Sequence, residues 1–254
     1  LQAYALATRL RMMGHDAEII DYQPHYMQGI SLSQSSPRYD RYGLGWAYVL
    51  AKLPSRLKTM KRERVFDDFL CNYLPVTTAH YDNIDQLRQM PPEADVYIAG
   101  SDQIWNTTFP NGTDPAYYLD FGSKKTRRIS YAASFAITSI SNNKREWVKE
   151  HLHNFDAISV RESSAITLLH DLGHEGTQVV DPVFLLDEKQ WLAMTDETAV
   201  DEDFVLIYDF LNSPDIANVA KRISRLYGCK IYSIGPWPLD YANRNFRYSG
   251  PRTF

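Results

Sequence analysis

The chain has 254 residues, 44% of them apolar and 13% aromatic, with 23% charged and a formal net charge of −4. That length allows one large or two modest cores, and the charge balance offers no general attraction for nucleic acid, which argues against a nucleic-acid-binding module. Two cysteines, Cys71 and Cys229, build neither a disulfide framework nor a four-cysteine zinc site and fit a reducing compartment, and no apolar run approaches the roughly 20 residues that span a bilayer.

The opening segment LQAYALATRLRMMGH places Ala3, Leu6, Ala7, Leu10 and Met13 on one helical stripe, with Gly14 as a C-terminal stop. A short strand, Ala17 to Tyr22, follows, so the sequence enters in the middle of a strand–helix–strand unit whose first strand is expected ahead of Leu1. Residues 23–54 are rich in Pro, Gly, Ser and Tyr with weak periodicity, the pattern of a loop-rich insertion or cap. The next stretch, SRLKTMKRERVFDDFLCNYL, reads as an amphipathic helix carrying Arg56, Lys58, Lys61, Arg62 and Arg64. These form a solvated basic face or a contact for an anionic polymer or membrane surface.

From residue 95 the order becomes regular: strand DVYIAG, strand RRISYAAS, helix NNKREWVKEHLHNF, strand AISVRE, helix SSAITLLHDLG and strand TQVVDP. Short β-rich runs alternating with helical patterns predict an α/β fold, a Rossmann-like parallel sheet flanked by helices. Acidic residues interrupt the rhythm near 187–203, where a domain boundary is expected. Strand FVLIYDF, helix SPDIANVAKRISRLYG and strand KIYSIGP lie beyond it. The division is thus an N-terminal domain over 1–190 and a linker with a partial second domain over 191–254, too small to bury a core alone.

In open parallel sheets, ligands bind beyond the carboxyl ends of the strands. Four such ends carry polar residues here. After DVYIA come Gly100, which lets a ligand approach the backbone, Ser101 and Gln103 as hydrogen-bonding groups, and the carboxylate Asp102. ISYAASF ends at Ser134, AISVRE at Arg161 and Glu162, and VVDP at Asp181. An arginine at a strand end holds a phosphate or carboxylate through two parallel N–H bonds, although Arg161 is equally suited to pair with Asp181 or Asp156. Ser101 and Asp102 also suit the capping of a following turn, Asp181 before proline suits a turn, and Trp105 suits packing. His151 and His153 face different ways on a helix, and His170 and His174 straddle Gly173, so neither pair has metal-ligand spacing. Glycine fingerprints for dinucleotides or nucleoside triphosphates, and the G-x-S-x-G elbow, do not occur.

DVYIAGSDQIWN, RISYAASF, AISVRESSAITLLHDLG and VVDPVFLL, in this order, resemble the polysaccharide pyruvyl transferase family, in the branch with a GSDQ-W-N signature. The resemblance runs from Leu1 to about Leu186 and more faintly to the end. It implies a GT-B-like pair of Rossmann-like domains and transfer of the enolpyruvyl unit of phosphoenolpyruvate to a sugar hydroxyl, giving a pyruvate ketal. The acceptor would be a bacterial exopolysaccharide or its lipid-linked precursor. It further implies a cytoplasmic location with peripheral association at the inner face of the membrane.

By this resemblance Arg161 clamps the anion and Asp102 acts as a base or electrostatic stabiliser. Gly100, Ser101, Gln103, Asn106, Ser134 and Glu162 contact substrate. Neither a metal nor another cofactor is expected. A glycine- and asparagine-containing loop is expected ahead of Leu1, and a histidine motif of the form S-F-H-G, supplying a general acid, beyond Phe254. The competing readings are a GT-B-type glycosyltransferase using a nucleotide sugar and a non-catalytic member that binds a glycan or a partner.

Overall fold

A computed structural model describes residues 1–27, 36–195, 202–235, 237–247 and 249–252, apart from the side chains of residues 37, 58, 59, 61 and 62. Two compact units emerge, Leu1–Gly29 with Tyr73–Glu188, and Ile30–Asn72 with Lys189–Phe254. The expected loop segment at 28–35 and the acidic stretch at 196–201 lie outside the described residues.

The first unit contains α1 (Gln2–Met12), β1 (Ile19–Tyr22), β2 (Val76–Tyr81), α4 (Ile84–Gln89), β3 (Val96–Ala99), β4 (Arg127–Ser130), α5 (Asn142–Leu152), β5 (Ser159–Val160), α6 (Ser163–Asp171) and β6 (Thr177–Gln178). In sequence between β1 and β2, but belonging to the second unit, are α2 (Pro37–Asp40) and nearly all of α3 (Gly45–Tyr73). Every strand pair is parallel: β1 with β2, β3 with β4, β5 with β6. Single bridges, Ile129 to Ala157 and Ala133 to Val160, join β4 to β5, so β3, β4, β5 and β6 form one laterally continuous run. The α/β expectation therefore holds.

Helices α5 and α6 cover this run because their apolar residues recur at helical spacing: Val148 and Leu152 on one, Ala165, Leu168 and Leu169 on the other, all buried. They meet Trp105, Tyr118, Phe135 and Val160 in the main core. Trp105 is 0% exposed and donates its indole N–H to the Tyr117 carbonyl at 3.1 Å, so it packs, as its sequence context suggested. Full burial of such a side chain is worth roughly 1.5–3 kcal/mol.

Several expectations are corrected. Residues 45–54, read as loop, are helical, because α3 runs through Pro54; proline removes one helical N–H but does not stop this helix. Arg56, read as part of a solvated face, is buried with its guanidinium 5.8 Å from the Tyr48 ring. On α1 the buried residues are Ala5 and Ala7, and Met13 is 60% exposed. The first turn of α1 packs on the 3-10 turn Pro182–Leu185, which rotates the expected stripe. Gly14 does end the helix, at φ 90°.

The second unit comprises α2, α3, α7 (Glu188–Met194), β7 (Phe204–Tyr208), α8 (Pro214–Tyr227), β8 (Lys230–Ile234) and β9 (Arg244–Phe246), apart from the ends of α3 and α7 that fall in the first unit. Its strands run in the order β7, β8, β9, all parallel. Gly228, at φ 66°, closes α8 with the left-handed turn that glycine adopts without cost.

Candidate functional site

The carboxyl ends of β3 to β6 come together at one edge of the first unit. The Ser134 N–H donates to the Asp102 carbonyl at 3.0 Å and the Arg161 N–H to the Ala133 carbonyl at 3.1 Å. With strands about 4.8 Å apart, the backbones of Asp102 and Arg161 are two strand spacings from each other.

Asp102 itself has φ 111°, a conformation that glycine enters freely and other residues rarely. Its Oδ1 accepts from the Gln103 N–H at 2.8 Å, which is local capping, while the side chain stays exposed. Ser101 Oγ is buried without a hydrogen-bond partner among the described residues. A Cβ on Gly100 would meet nothing within 4 Å, so the space beside it is open.

The next residues brace the loop. Asn106 is 4% exposed, donates to Gln103 Oε1 at 2.9 Å and accepts from the Thr108 N–H and hydroxyl. Asn111 reaches the Gln103 carbonyl at 2.7 Å, and Gly112 lies so close that a Cβ there would sit 2.2 Å from the Asn106 carbonyl. This loop is fixed by its own side chains, and Asn106 faces inward.

On the β4 side, Ala132 and Ala136 both have positive φ, 55° and 49°, which bends the segment between them. Glu162 holds that bend. Its Oε1 accepts from the Ser134 hydroxyl at 3.0 Å, the Phe135 N–H at 3.0 Å and the Ala136 N–H at 3.1 Å. Ser134, 1% exposed, is thereby enclosed. Arg161 Nη1 donates to Asp181 Oδ2 at 3.0 Å, whereas Asp156 accepts the Arg128 N–H. Arg161 Nε and Nη2 have no partner among the described residues. Burial alone would raise the Asp181 pKa, but the Val183 N–H, Gln2 and Arg161 together hold it below the ordinary aspartate value. Gln2 donates to Asp181 Oδ2 at 2.5 Å.

The structure thus gathers Gly100, Ser101, Asp102, Gln103, Ser134, Arg161 and Glu162 at one edge. Asp102, Gln103 and Arg161 are accessible there, while Ser134, Glu162 and Asn106 serve the scaffold. Sequence reading missed three contributors. Gln2 sits inside a helical pattern, and Tyr131, raised by burial and then by Asp181, sits inside a strand pattern. Tyr117, pushed up to about 12 by burial first and then by Asp114, also feels Asp102. Nothing in a single sequence marks them, because their partners are distant in the chain. Among the described residues no group of three His, Cys, Asp or Glu side chains is placed to hold a metal ion, and no helix is long and apolar enough to cross a membrane.

The first unit is thus a Rossmann-like α/β unit whose parallel strands end in an exposed carboxylate and a half-buried, partly unbonded guanidinium, groups whose chemistry suits a small anion. The family model described as polysaccharide pyruvyl transferase matches residues 1–254, the whole length, and the chain belongs to that family. Membership makes pyruvyl transfer in polysaccharide biosynthesis its role. Comparisons with curated proteins and with solved structures returned no significant match.

Proposed function

We propose that the protein moves the enolpyruvyl unit of phosphoenolpyruvate onto two hydroxyls of one sugar, forming a pyruvate ketal on a surface polysaccharide or its lipid-linked precursor. In the balanced reaction the C2–O bond to phosphate breaks and two C–O bonds form at C2. One hydroxyl proton ends on the former methylene carbon and the other leaves with inorganic phosphate. The difficult species is the oxocarbenium-like centre at C2, which a nearby carboxylate stabilises. Asp102 has that role and also accepts the proton of the attacking hydroxyl. Arg161 binds the donor's carboxylate or phosphate, and Gln103 and Ser101 orient the bound groups. The whole enzyme has a GT-B-type architecture and meets its acceptor at the inner face of the membrane.

The observation that carries this reading is Arg161. It is 28% exposed at its side chain, steadied on one nitrogen by Asp181, and left with Nε and Nη2 to offer an anion. A guanidinium braced in this way keeps its planar fork oriented before ligand arrives. The first turn of α1 reaches the same Asp181 oxygen through Gln2, and its leading N–H groups, which lack helical acceptors, favour negative charge.

Phosphate release from phosphoenolpyruvate, measured with a panel of glycan acceptors, tests the reading. Arg161→Ala is expected to lower turnover about a hundredfold, and Arg161→Lys to restore little of it. Binding of a nucleoside diphosphate with none of phosphoenolpyruvate would replace this function with glycosyl transfer.

A further inference from the structure

The second unit carries a cavity of about 390 Å³ at the carboxyl ends of its own parallel strands. Tyr208 closes β7, Phe210 follows it, and Arg247 follows β9. Opposite them α3 contributes Glu63, Phe66 and Asp67, which share a helix face because they are spaced by three and four residues. The volume falls within the range of small-molecule sites, about 300–1,000 Å³.

Its chemistry differs from that of the Arg161 edge. Two carboxylates face one guanidinium, so the lining is net negative and opposes a phosphate or a carboxylate ligand. The aromatic surface is unusually available: Phe66 is 46% exposed, Tyr208 54% and Phe210 55%, with the last two rings edge to face at 4.7 Å. Aromatic faces offer apolar contact to the C–H faces of a pyranose ring, and carboxylates accept hydrogen bonds from its hydroxyls. A neutral, polyhydroxylated ring satisfies both sets of groups. An anion satisfies neither.

We propose that this cavity binds a neutral saccharide, the acceptor of the reaction above; its assignment as acceptor site rests on the pyruvyl-transfer reading. Glu63 and Asp67 accept from sugar hydroxyls, while Tyr208 and Phe210 pack on the ring.

Ligand-observed saturation-transfer NMR with lactose, cellobiose and N-acetyllactosamine tests the site directly. Wild-type protein is expected to transfer saturation to sugar ring protons. Phe210→Ala should weaken binding roughly tenfold, the loss typical of a central aromatic contact. Glu63→Gln and Asp67→Asn, which preserve shape, should weaken it less, and Arg161→Ala should leave it unchanged. Absence of any saccharide signal from wild-type protein overturns the proposal, as does equal binding by wild type and all three cavity variants. So does phosphoenolpyruvate or uridine diphosphate binding that depends on Phe210 or Glu63. Turnover of phosphoenolpyruvate with an acceptor KM indifferent to the cavity variants removes the site and leaves the transferase. Phe210-dependent saccharide binding without such turnover keeps the site and removes the transferase.

Discussion

At the carboxyl edge of β3 to β6 charged groups are tied to one another and to the backbone, whereas at the edge of β7 to β9 aromatic rings stand half exposed. Both edges use an aspartate to cap the turn after a strand. Asp181 accepts from the Val183 N–H, and Asp209 accepts from the Leu211 and Ser213 N–H groups. Only Asp181 then goes on to take a guanidinium and an amide. At the first edge the orientation of a charge is fixed by its neighbours, the preorganisation that the proposed reaction would use. The second has its Asp209 cap satisfied by nearby backbone and leaves its rings about half exposed. The proposals above accordingly put chemistry at the first and recognition at the second.

The sharpest break of this contrast is at Asp102. Asp102→Asn keeps the shape and removes the charge, and should lower kcat for phosphate release by about a hundredfold or more with little change in the unfolding midpoint. An unchanged kcat would mean that the first edge holds no reacting centre.

Glu162→Ala should be the largest stability defect, about 2–3 kcal/mol in urea unfolding, because three donors on the β4 bend lose one shared acceptor. Glu162→Gln retains a carbonyl acceptor and should recover much of that loss. This brace was illegible in the sequence. Its partners are backbone N–H groups exposed by two alanines at positive φ, and alanine gives no warning of that conformation. By contrast, DVYIAG, RRISYAAS, FVLIYDF and KIYSIGP were legible as strands because β-branched, aromatic and other apolar residues are dense in them. β2 was missed because Thr78, Ala79 and His80 face solvent and leave it no apolar alternation, and β9 because three residues give no period. α3 was cut short at Pro54, where the usual rule fails.

A smaller effect separates the two capping aspartates by pH. The folded-state pKa of Asp181 is depressed, so its stabilisation is present above the ordinary aspartate value of about 3.9 and is lost as pH falls through the lower folded value. Asp181→Asn should therefore flatten the acid limb of a thermal-stability profile in that window. An unaltered limb would show that the brace around Arg161 carries no charge-dependent stability. The smallest effect belongs to the second edge. Phe210→Ala should change unfolding free energy by no more than about 0.5 kcal/mol, since the ring is largely in solvent. A larger loss would make Phe210 a core residue and dissolve the contrast.

In the proposed mechanism the backbone angle at Asp102 sets stability against activity. Glycine at that position would relieve about 1 kcal/mol or more of conformational strain while deleting the carboxylate. A laboratory selection for heat tolerance alone would therefore drift from G-S-D-Q toward G-S-G-Q and yield a sturdier, inert protein. Retaining the aspartate through such a selection requires screening for turnover in every round.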